Sequence, residues 1–260
     1  MATALFDKII FGPIKSRRLG ISLGINLLSP HSKLCNFDCI YCECGWTKNN
    51  EHSTEKPHFN DKKDVLISLE NFLKERAEKK EPLDVITFAG NGEPTMHPDF
   101  EEIINKTIEL RNEFFPNVKI AVLSNSTMLG KESVRRALAK VDRAILKIDS
   151  AFDKTIAQIN EPIGQYSLQN ILDNMALFTG EIIIQTMFLR GENKGETIDN
   201  TTEKEVSAWI KVLKQVKPTQ VMIYSLDRDT PLKTIEKVGK GELNIIAEKV
   251  RNAGFECSVA

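Results

Sequence analysis

Three cysteines in one short run constrain most strongly what this chain can fold into. Cys35, Cys39 and Cys42 are spaced CxxxCxxC, and Tyr41 stands directly before the last thiol. Three thiolates on one loop can hold three irons of a cubane cluster and leave the fourth iron open to another ligand. An open iron indicates catalysis, whereas a fully ligated cluster usually relays electrons.

Zinc is the alternative occupant, because soft thiolates select zinc as well as iron–sulfur clusters. A structural zinc site normally takes four ligands, usually from two separated pairs. Cys44 could supply a fourth thiol, but all four would then crowd into one tight loop. The spacing therefore favours a cluster on Cys35, Cys39 and Cys42, with Cys44 as a free thiol.

The cysteine triplet with its aromatic residue resembles the signature of the radical S-adenosylmethionine (SAM) superfamily. The resemblance implies a [4Fe–4S] cluster whose open iron binds SAM, reductive cleavage of SAM, and a 5′-deoxyadenosyl radical that abstracts hydrogen from a substrate. A low-potential electron donor of the flavodoxin or ferredoxin type is implied as a partner. In such enzymes the cofactor carries the chemistry, while the protein binds and shields it.

Composition is typical of a cytoplasmic protein with a large core. The chain has 260 residues and 41% apolar content, enough for one α/β barrel. Four of the 5 cysteines crowd into one loop, which indicates a reducing compartment rather than a disulfide framework. A net charge of −1 gives no overall field that would attract nucleic acid. No apolar run is long enough for a signal peptide or a membrane span, so we expect no membrane partner.

Short apolar runs alternate with amphipathic stretches, which is the pattern of βα units and a parallel sheet. Strands are predicted at 21–28, 85–89, 118–124, 144–148, 182–188 and 220–225. Apolar spacing predicts helices around 65–73, 100–108, 134–141, 168–175, 206–213 and 243–250. Asn200 or Thr201 is the expected N-cap of the fifth helix. We expect one domain over 1–260, with an N-terminal extension at 1–19 and a C-terminal helix and candidate strand at 242–260.

Periodicity alone does not separate an open barrel from a doubly wound sheet. The number of strands and helices matches the partial (β/α)6 barrel of parallel strands that the resemblance implies. In both architectures, ligands collect beyond the carboxyl ends of the strands. The cysteine run follows the first predicted strand, so we expect it in a βα loop at that end.

Further motifs follow the other strands. Gly90-Asn91-Gly92-Glu93-Pro94 could be an ordinary turn, but it resembles the GGE motif that holds the methionine amine of SAM, with Asn91 as a departure. The resemblance assigns cofactor binding to residues in the cysteine loop, in this motif and near the strand ends: Tyr41, Gly92, Glu93, Asn125, Asp149, Ser150, Gln185 and Tyr224. Helix capping is the alternative for the polar residues after the third and fourth strands. Gln185 is an amide in an apolar run and requires partners.

Three arginines are candidates for binding an anionic substrate. Arg17 and Arg18 stand in tandem before the first strand, and Arg228 lies in the loop after the sixth. A guanidinium can hold a carboxylate or phosphate through two hydrogen bonds. The alternative for the tandem pair is a solvated surface, which is the usual fate of short basic clusters.

The chain resembles in particular the iron–sulfur proteins related to wyosine-type tRNA base synthetases. This resemblance rests on Phe11-Gly12-Pro13, the run 16–24, the cysteine loop and 90–94. Wyosine synthetases carry a second cluster on upstream cysteines, and no cysteine precedes Cys35 here, which argues against wyosine synthesis.

Three hypotheses remain. The first is a radical SAM enzyme whose substrate binds at the barrel mouth. The second places the same chemistry on a macromolecule, either tRNA or a glycyl-radical enzyme. The third is a non-enzyme that holds structural zinc.

Overall fold

A curled, mostly parallel β-sheet forms the centre of the protein. This computed structural model describes residues 5–16, 19–47 and 58–260. The strands are β1 (Ile10–Ser16), β2 (Gly20–Ile25), β3 (Val85–Phe88), β4 (Lys119–Ser124), β5 (Arg143–Lys147), β6 (Ile182–Met187), β7 (Leu189–Asn193), β8 (Glu196–Asp199), β9 (Gln220–Tyr224), β10 (Ile235–Lys237) and β11 (Cys257–Val259). The helices are α1 (Lys62–Glu78), α2 (Phe100–Phe114), α3 (Glu132–Leu138), α4 (Asp153–Ile159), α5 (Leu168–Ala176), α6 (Glu203–Val216) and α7 (Lys240–Asn252).

The main sheet has eight strands in the order β1-β2-β3-β4-β5-β6-β9-β11. Only β1 runs antiparallel to its neighbour, and the other pairs are parallel. The sheet forms a half-barrel, which confirms the predicted partial barrel. All six predicted strands are present as β2, β3, β4, β5, β6 and β9, and the candidate C-terminal strand is β11.

Helices cover the outer face of the half-barrel. In α1, Val65, Leu69 and Leu73 recur every four residues and are buried against the sheet. The N-cap of α6 is Thr202, whose hydroxyl accepts from the Glu205 N–H at 3.3 Å, so the expected Asn200 or Thr201 is wrong. The side-chain amide of Asn200 instead donates to the backbone carbonyls of Asp149, just after β5, and Met187, at the end of β6.

The inner face of the half-barrel is apolar at its base and polar at its mouth. Its base is a separate apolar cluster made by Val85, Ala121, Ile145, Ile183 and Met222. Side chains on a strand alternate between faces, so the residues two positions further on point the same way. Toward the carboxyl ends these are Thr87, Leu123, Lys147, Gln185 and Tyr224.

A second, three-stranded antiparallel sheet follows β6, in the order β10-β7-β8. Leu189, Ile198 and Ile235 from its strands join a second apolar cluster that contains Cys39 and Tyr41. The small sheet therefore covers the cysteine loop. Its short strands are too brief to leave a recognisable pattern in the sequence, and β1 and α4 were likewise not predicted. Within the described ranges, no helix is long and apolar enough to cross a lipid bilayer.

One helix offers a matched test of this packing. Leu69 is fully buried, whereas Ile67 on the same helix is 46% exposed. Leu69→Ala should lower the free energy of unfolding by about 2–5 kcal/mol, because it leaves a cavity in the core. Ile67→Ala should change it by less than about 0.5 kcal/mol. Urea unfolding monitored by circular dichroism measures both, and equal losses would contradict the assigned face of α1.

Candidate active site

The cysteine run forms a loop at the carboxyl end of β2, as the sequence predicts. Cys39 is buried, and Cys35 and Cys42 pack against the same apolar cluster. Burial raises the pKa of Cys39 to about 11, although Lys147 acts to lower it. The Cys44 thiol donates to the Gly90 carbonyl at 3.3 Å, and its proximity to Cys42 lowers the pKa of that thiol to about 6. The three thiols thus share one water-poor site, and Cys44 lies at its edge as a hydrogen-bond donor.

The arrangement of the cysteine thiols can be compared with what a zinc ion and what a [4Fe–4S] cluster would require. Among the described residues, no three His, Cys, Asp or Glu side chains converge as ligands of a single metal ion do. A cubane has a different requirement, because each thiolate binds a different iron at its own corner. Three separate thiols from one loop, one buried and two half-buried, suit that requirement, whereas the convergent set that zinc needs is not formed within these ranges.

The backbone clasps the cysteine loop to the glycine-rich loop after β3. The Leu34 N–H donates to the Asn91 carbonyl at 2.8 Å, and the Glu93 N–H donates to the Leu34 carbonyl at 3.0 Å. Between these bonds lies Gly92, with φ at +141°. A Cβ atom on Gly92 would lie 1.8 Å from the Leu34 carbonyl oxygen, so only glycine fits.

Asn91, the departure from the family motif, has a structural role here. Its side-chain amide donates to the carbonyls of Phe6 and Ser29, both at 2.8 Å. Its side-chain oxygen accepts from the Phe6 N–H at 2.8 Å. Asn91 therefore ties the N-terminal segment to the glycine-rich loop.

The loop after α4 holds the other side of the cysteine run. The Asp38 N–H donates to the Asn160 carbonyl at 2.9 Å, and the Ile40 N–H donates to the Ile159 carbonyl at 3.0 Å. The Asn160 side-chain amide also donates to the Cys39 sulfur at 3.4 Å. Asn160 was not predicted from the sequence, because nothing in its spacing links it to the cysteines.

Glu93 and Asn125 lie together beside Cys35. The Glu93 carboxylate is 2% exposed and accepts from the Asn125 N–H at 2.6 Å and from the Thr95 N–H at 3.1 Å. Burial raises the pKa of Glu93, and these hydrogen bonds oppose the increase. The Asn125 amide donates to the Cys35 sulfur at 3.6 Å and to the Asn36 side-chain oxygen at 2.7 Å.

A buried network connects Tyr41 to the end of β5. The Tyr41 hydroxyl donates to Asp149 and accepts from the Lys147 ammonium at 2.6 Å. The Asn160 amide donates to the Asp149 carboxylate at 2.7 Å. Burial, followed by the charge of Asp149, raises the pKa of Tyr41 well above its ordinary range. Burial acts to lower the pKa of Lys147, but Asp149 and its other neighbours raise it overall, so this lysine stays charged.

The remaining predicted site residues lie in different surroundings. The Ser150 hydroxyl donates to Glu205 at 2.7 Å and accepts from the Phe152 N–H at 3.0 Å, while the N-cap of α4 is Phe152, which makes no side-chain capping bond. Gln185 is buried on the inner face, opposite Lys147 in the strand register. Tyr224 packs beside the cluster that holds Tyr41.

Arg228 pairs with an acidic residue of the cysteine loop. Its guanidinium donates to the Glu43 carboxylate at 2.7 Å, and both side chains are exposed. The pair lies at the edge of a cavity of about 30 Å³ that Tyr41, Met187 and Tyr224 also line. Arg17 and Arg18 fall outside the described residues.

Comparison with known proteins identifies the family. The model of the Radical SAM superfamily matches residues 29–204. A UPF0026 protein of Helicobacter pylori strain J99 is 31% identical over 239 residues, which span 90% of this chain and 71% of that protein. The chain therefore belongs to the radical SAM superfamily and is related to the UPF0026 proteins. It is an enzyme of radical SAM type, and the cofactors of that superfamily are a [4Fe–4S] cluster and SAM.

Solved structures share the fold at low identity. A radical SAM methyltransferase from Sphaerobacter thermophilus matches with a TM-score of 0.65 and 11% identity, over 92% of this chain and 65% of its own. Archaeal TYW1 matches with a TM-score of 0.51 and 13% identity, over 89% of this chain and 72% of its own. This chain thus spans about two thirds of the methyltransferase, and the likeness concerns the fold alone.

The contact between the two loops at Gly92 can be tested by comparing Gly92 with Gly195, a second glycine with positive φ. Gly92→Ala should displace the cysteine loop and reduce the iron bound after anaerobic reconstitution severalfold, because the new methyl group meets backbone. Gly195→Ala is the control, since Gly195 has φ at +78° but no atom within 4 Å of an added Cβ. It should cost about 1–2 kcal/mol of stability and retain iron. Full iron content in Gly92→Ala would show that the clasp does not hold the loop.

Proposed function

We propose that Cys35, Cys39 and Cys42 hold a [4Fe–4S] cluster with one open iron, and that the protein binds SAM at that iron. Together, the cluster and SAM would supply reductive cleavage of SAM and a 5′-deoxyadenosyl radical that abstracts hydrogen from a substrate. The observation that carries this proposal is the set of three thiols in one loop, packed against one apolar cluster at the carboxyl ends of the strands, with Glu93 and Asn125 beside them.

Glu93 is the proposed partner for the methionine ammonium of SAM. Its carboxylate is buried, lies next to the Cys35 side of the loop and is held by two backbone N–H groups. An ammonium near a buried carboxylate gains a strong charge-assisted hydrogen bond. Asn125 would orient both groups, because its backbone holds Glu93 and its side chain reaches Cys35.

The Tyr41 network would orient the cysteine loop rather than react. Asp149 accepts from the Met187 N–H at 2.9 Å as well as from Tyr41 and Asn160, so its oxygens are already engaged. Tyr41 and Asp149 therefore hold the last cysteine against the end of β5. Gln185 and Tyr224, on the inner face, remain candidates for contact with the nucleoside of SAM.

The apolar surroundings support chemistry that must exclude water. The small sheet covers the cysteine loop, and the base of the half-barrel is filled by aliphatic side chains. A closed apolar chamber limits side reactions of a reactive intermediate. We propose that the substrate enters between this cover and the inner face, that the chain acts as a single domain, and that a flavodoxin- or ferredoxin-type protein donates the electron.

The substrate class favoured here is a small molecule rather than tRNA. RNA binding rests largely on neutralising phosphates with basic side chains. Lysine and arginine number 35 against 36 acidic residues, so the chain has no net basic charge for that purpose. The Glu43–Arg228 pair leaves Arg228 already neutralised at the rim.

Alanine substitution of each cysteine tests the ligand assignment. Cys35→Ala, Cys39→Ala and Cys42→Ala should each abolish formation of 5′-deoxyadenosine from SAM, because one iron loses its thiolate. Cys44→Ala and Cys257→Ala should retain both iron and SAM cleavage. The measurements are iron per chain and chromatography of the nucleoside product after reduction with dithionite. Loss of iron in Cys44→Ala alone, or one zinc per chain in the parent protein, would refute the assignment.

Glu93→Gln tests whether the Glu93 carboxylate binds the methionine ammonium of SAM. Loss of a hydrogen bond to a charged group costs about 1.5–3 kcal/mol, which corresponds to roughly tenfold to hundredfold weaker SAM binding. Iron content should remain normal, and titration calorimetry on the reconstituted protein measures the affinity. Glu109→Gln, an exposed residue paired with Lys106, serves as the control. Unchanged affinity in Glu93→Gln would remove this carboxylate from the SAM site.

A further inference from the structure

The side-chain amide of Asn160 lies against one of the three cysteines proposed to hold the cluster. Asn160 is 1% exposed, and its Nδ2 atom lies 3.4 Å from the Cys39 sulfur. The same nitrogen lies 2.7 Å from the Asp149 carboxylate and 3.2 Å from the Tyr41 hydroxyl. Asn160 therefore connects Cys39 to the buried network at the end of β5.

The contact with Asp149 decides which end of the Asn160 amide faces the thiol. The nitrogen and the oxygen of an asparagine side chain are similar in shape, so the hydrogen-bond partners must tell them apart. A carboxylate only accepts hydrogen bonds, which places the N–H end beside Asp149. Because the same nitrogen also lies beside Cys39, its second proton is directed to the sulfur and the Tyr41 hydroxyl. Cys39 thus has a hydrogen-bond donor whose orientation is fixed.

Backbone hydrogen bonds hold the segment around Asn160 to the cysteine loop without help from this side chain. The Ile163 N–H donates to the Asn36 carbonyl at 2.9 Å, and the Ile40 N–H donates to the Ile159 carbonyl at 3.0 Å. Replacing the Asn160 side chain leaves both bonds available. We therefore expect the cysteine loop to keep its place when the amide is removed.

We propose that the Asn160 amide raises the reduction potential of the cluster through its hydrogen bond to the Cys39 sulfur, as a positioning residue. This inference rests on the proposed function, because it requires a cluster bound through Cys39. Reduction adds one negative charge to the cluster and its thiolates, and a hydrogen bond is stronger when its acceptor is more negative. Burial increases the difference, since the interior has a low effective dielectric constant. Hydrogen bonds to the sulfurs are among the determinants of cluster potentials.

The functional consequence concerns the electron donor. A flavodoxin- or ferredoxin-type protein would have to transfer one electron to the cluster before SAM is cleaved, and a higher cluster potential makes that transfer more favourable. Asn160 contacts Cys39, whereas Glu93 and Asn125 lie beside Cys35. Its removal should therefore change the reduction of the cluster and leave the affinity for SAM unchanged.

Redox titration of the reconstituted cluster without SAM, monitored by electron paramagnetic resonance, tests the proposal. Asn160→Leu removes the donor and keeps a similar volume, while Asp149 retains the Tyr41 hydroxyl and the Met187 N–H as donors. The variant should lower the equilibrium constant for reduction about tenfold, which is about 59 mV for one electron. A potential equal to that of the parent protein would overturn the proposal.

Asn193→Leu is the matched control for bracing of the same segment. Asn193 is 9% exposed, and its amide donates to the Gln158 carbonyl at 3.1 Å and to the Glu161 carboxylate at 3.0 Å. Neither acceptor is a thiol, so this variant should keep the parent potential. An equal decrease in Asn193→Leu and Asn160→Leu would show that the potential follows the packing of the segment, which would overturn the proposal.

Asn160→Ser covers the case in which Asn160→Leu binds no iron. Serine is shorter than asparagine, so it withdraws the donor from the sulfur while leaving a polar group in the buried network. A lowered potential in Asn160→Ser then supports the proposal, and an unchanged one overturns it. If neither variant binds iron and Asn193→Leu does, Asn160 holds the ligand in place rather than tuning it, and the proposal is overturned. Absence of a cluster from the parent protein would instead overturn the proposed function.

Discussion

The backbone clasp between Leu34 and Gly92 is the interaction on which the rest of the site depends. It fixes the cysteine loop to the loop after β3, so that Glu93 and the first thiol lie side by side. The close approach is possible only because Gly92 has no side chain and adopts a positive φ. Two loops that follow neighbouring parallel strands meet at the same edge of a sheet. The fold brings the loops together, and the clasp sets their register.

Burial of charge is the second constraint. Lys33 and Asp38 lie inside the cysteine loop, and Lys147 and Asp149 lie where β5 ends. Each lysine is paired with an aspartate, so each positive charge at the site has a negative partner. Such groups are costly to bury unless every partner is in place. The apolar cover from the small sheet keeps water away and strengthens these interactions.

The sequence predicted the parallel strands and most helices because buried βα units leave strong apolar patterns. β7, β8 and β10 were missed, since strands of three to five residues alternate too briefly to be recognised. The placement of Glu93 and Asn125 near the cysteine loop could be predicted because both follow strands in recognisable segments. Lys33 and Asn160 could not, because Lys33 becomes buried only when the cysteine loop closes around it and Asn160 reaches Cys39 in that loop from 121 residues further along the chain. Ser150 shows the converse case, in which a strand-end hydroxyl is engaged by Glu205 and by the turn before α4.

The central claim is a cluster with one iron free of protein ligands. Mössbauer spectroscopy on protein reconstituted with ⁵⁷Fe, with and without SAM, tests it most directly. We expect four irons per chain, three of which keep their parameters while one changes its isomer shift and quadrupole splitting when SAM binds. Four irons that respond identically, or do not respond at all, would contradict a three-cysteine site with an open corner.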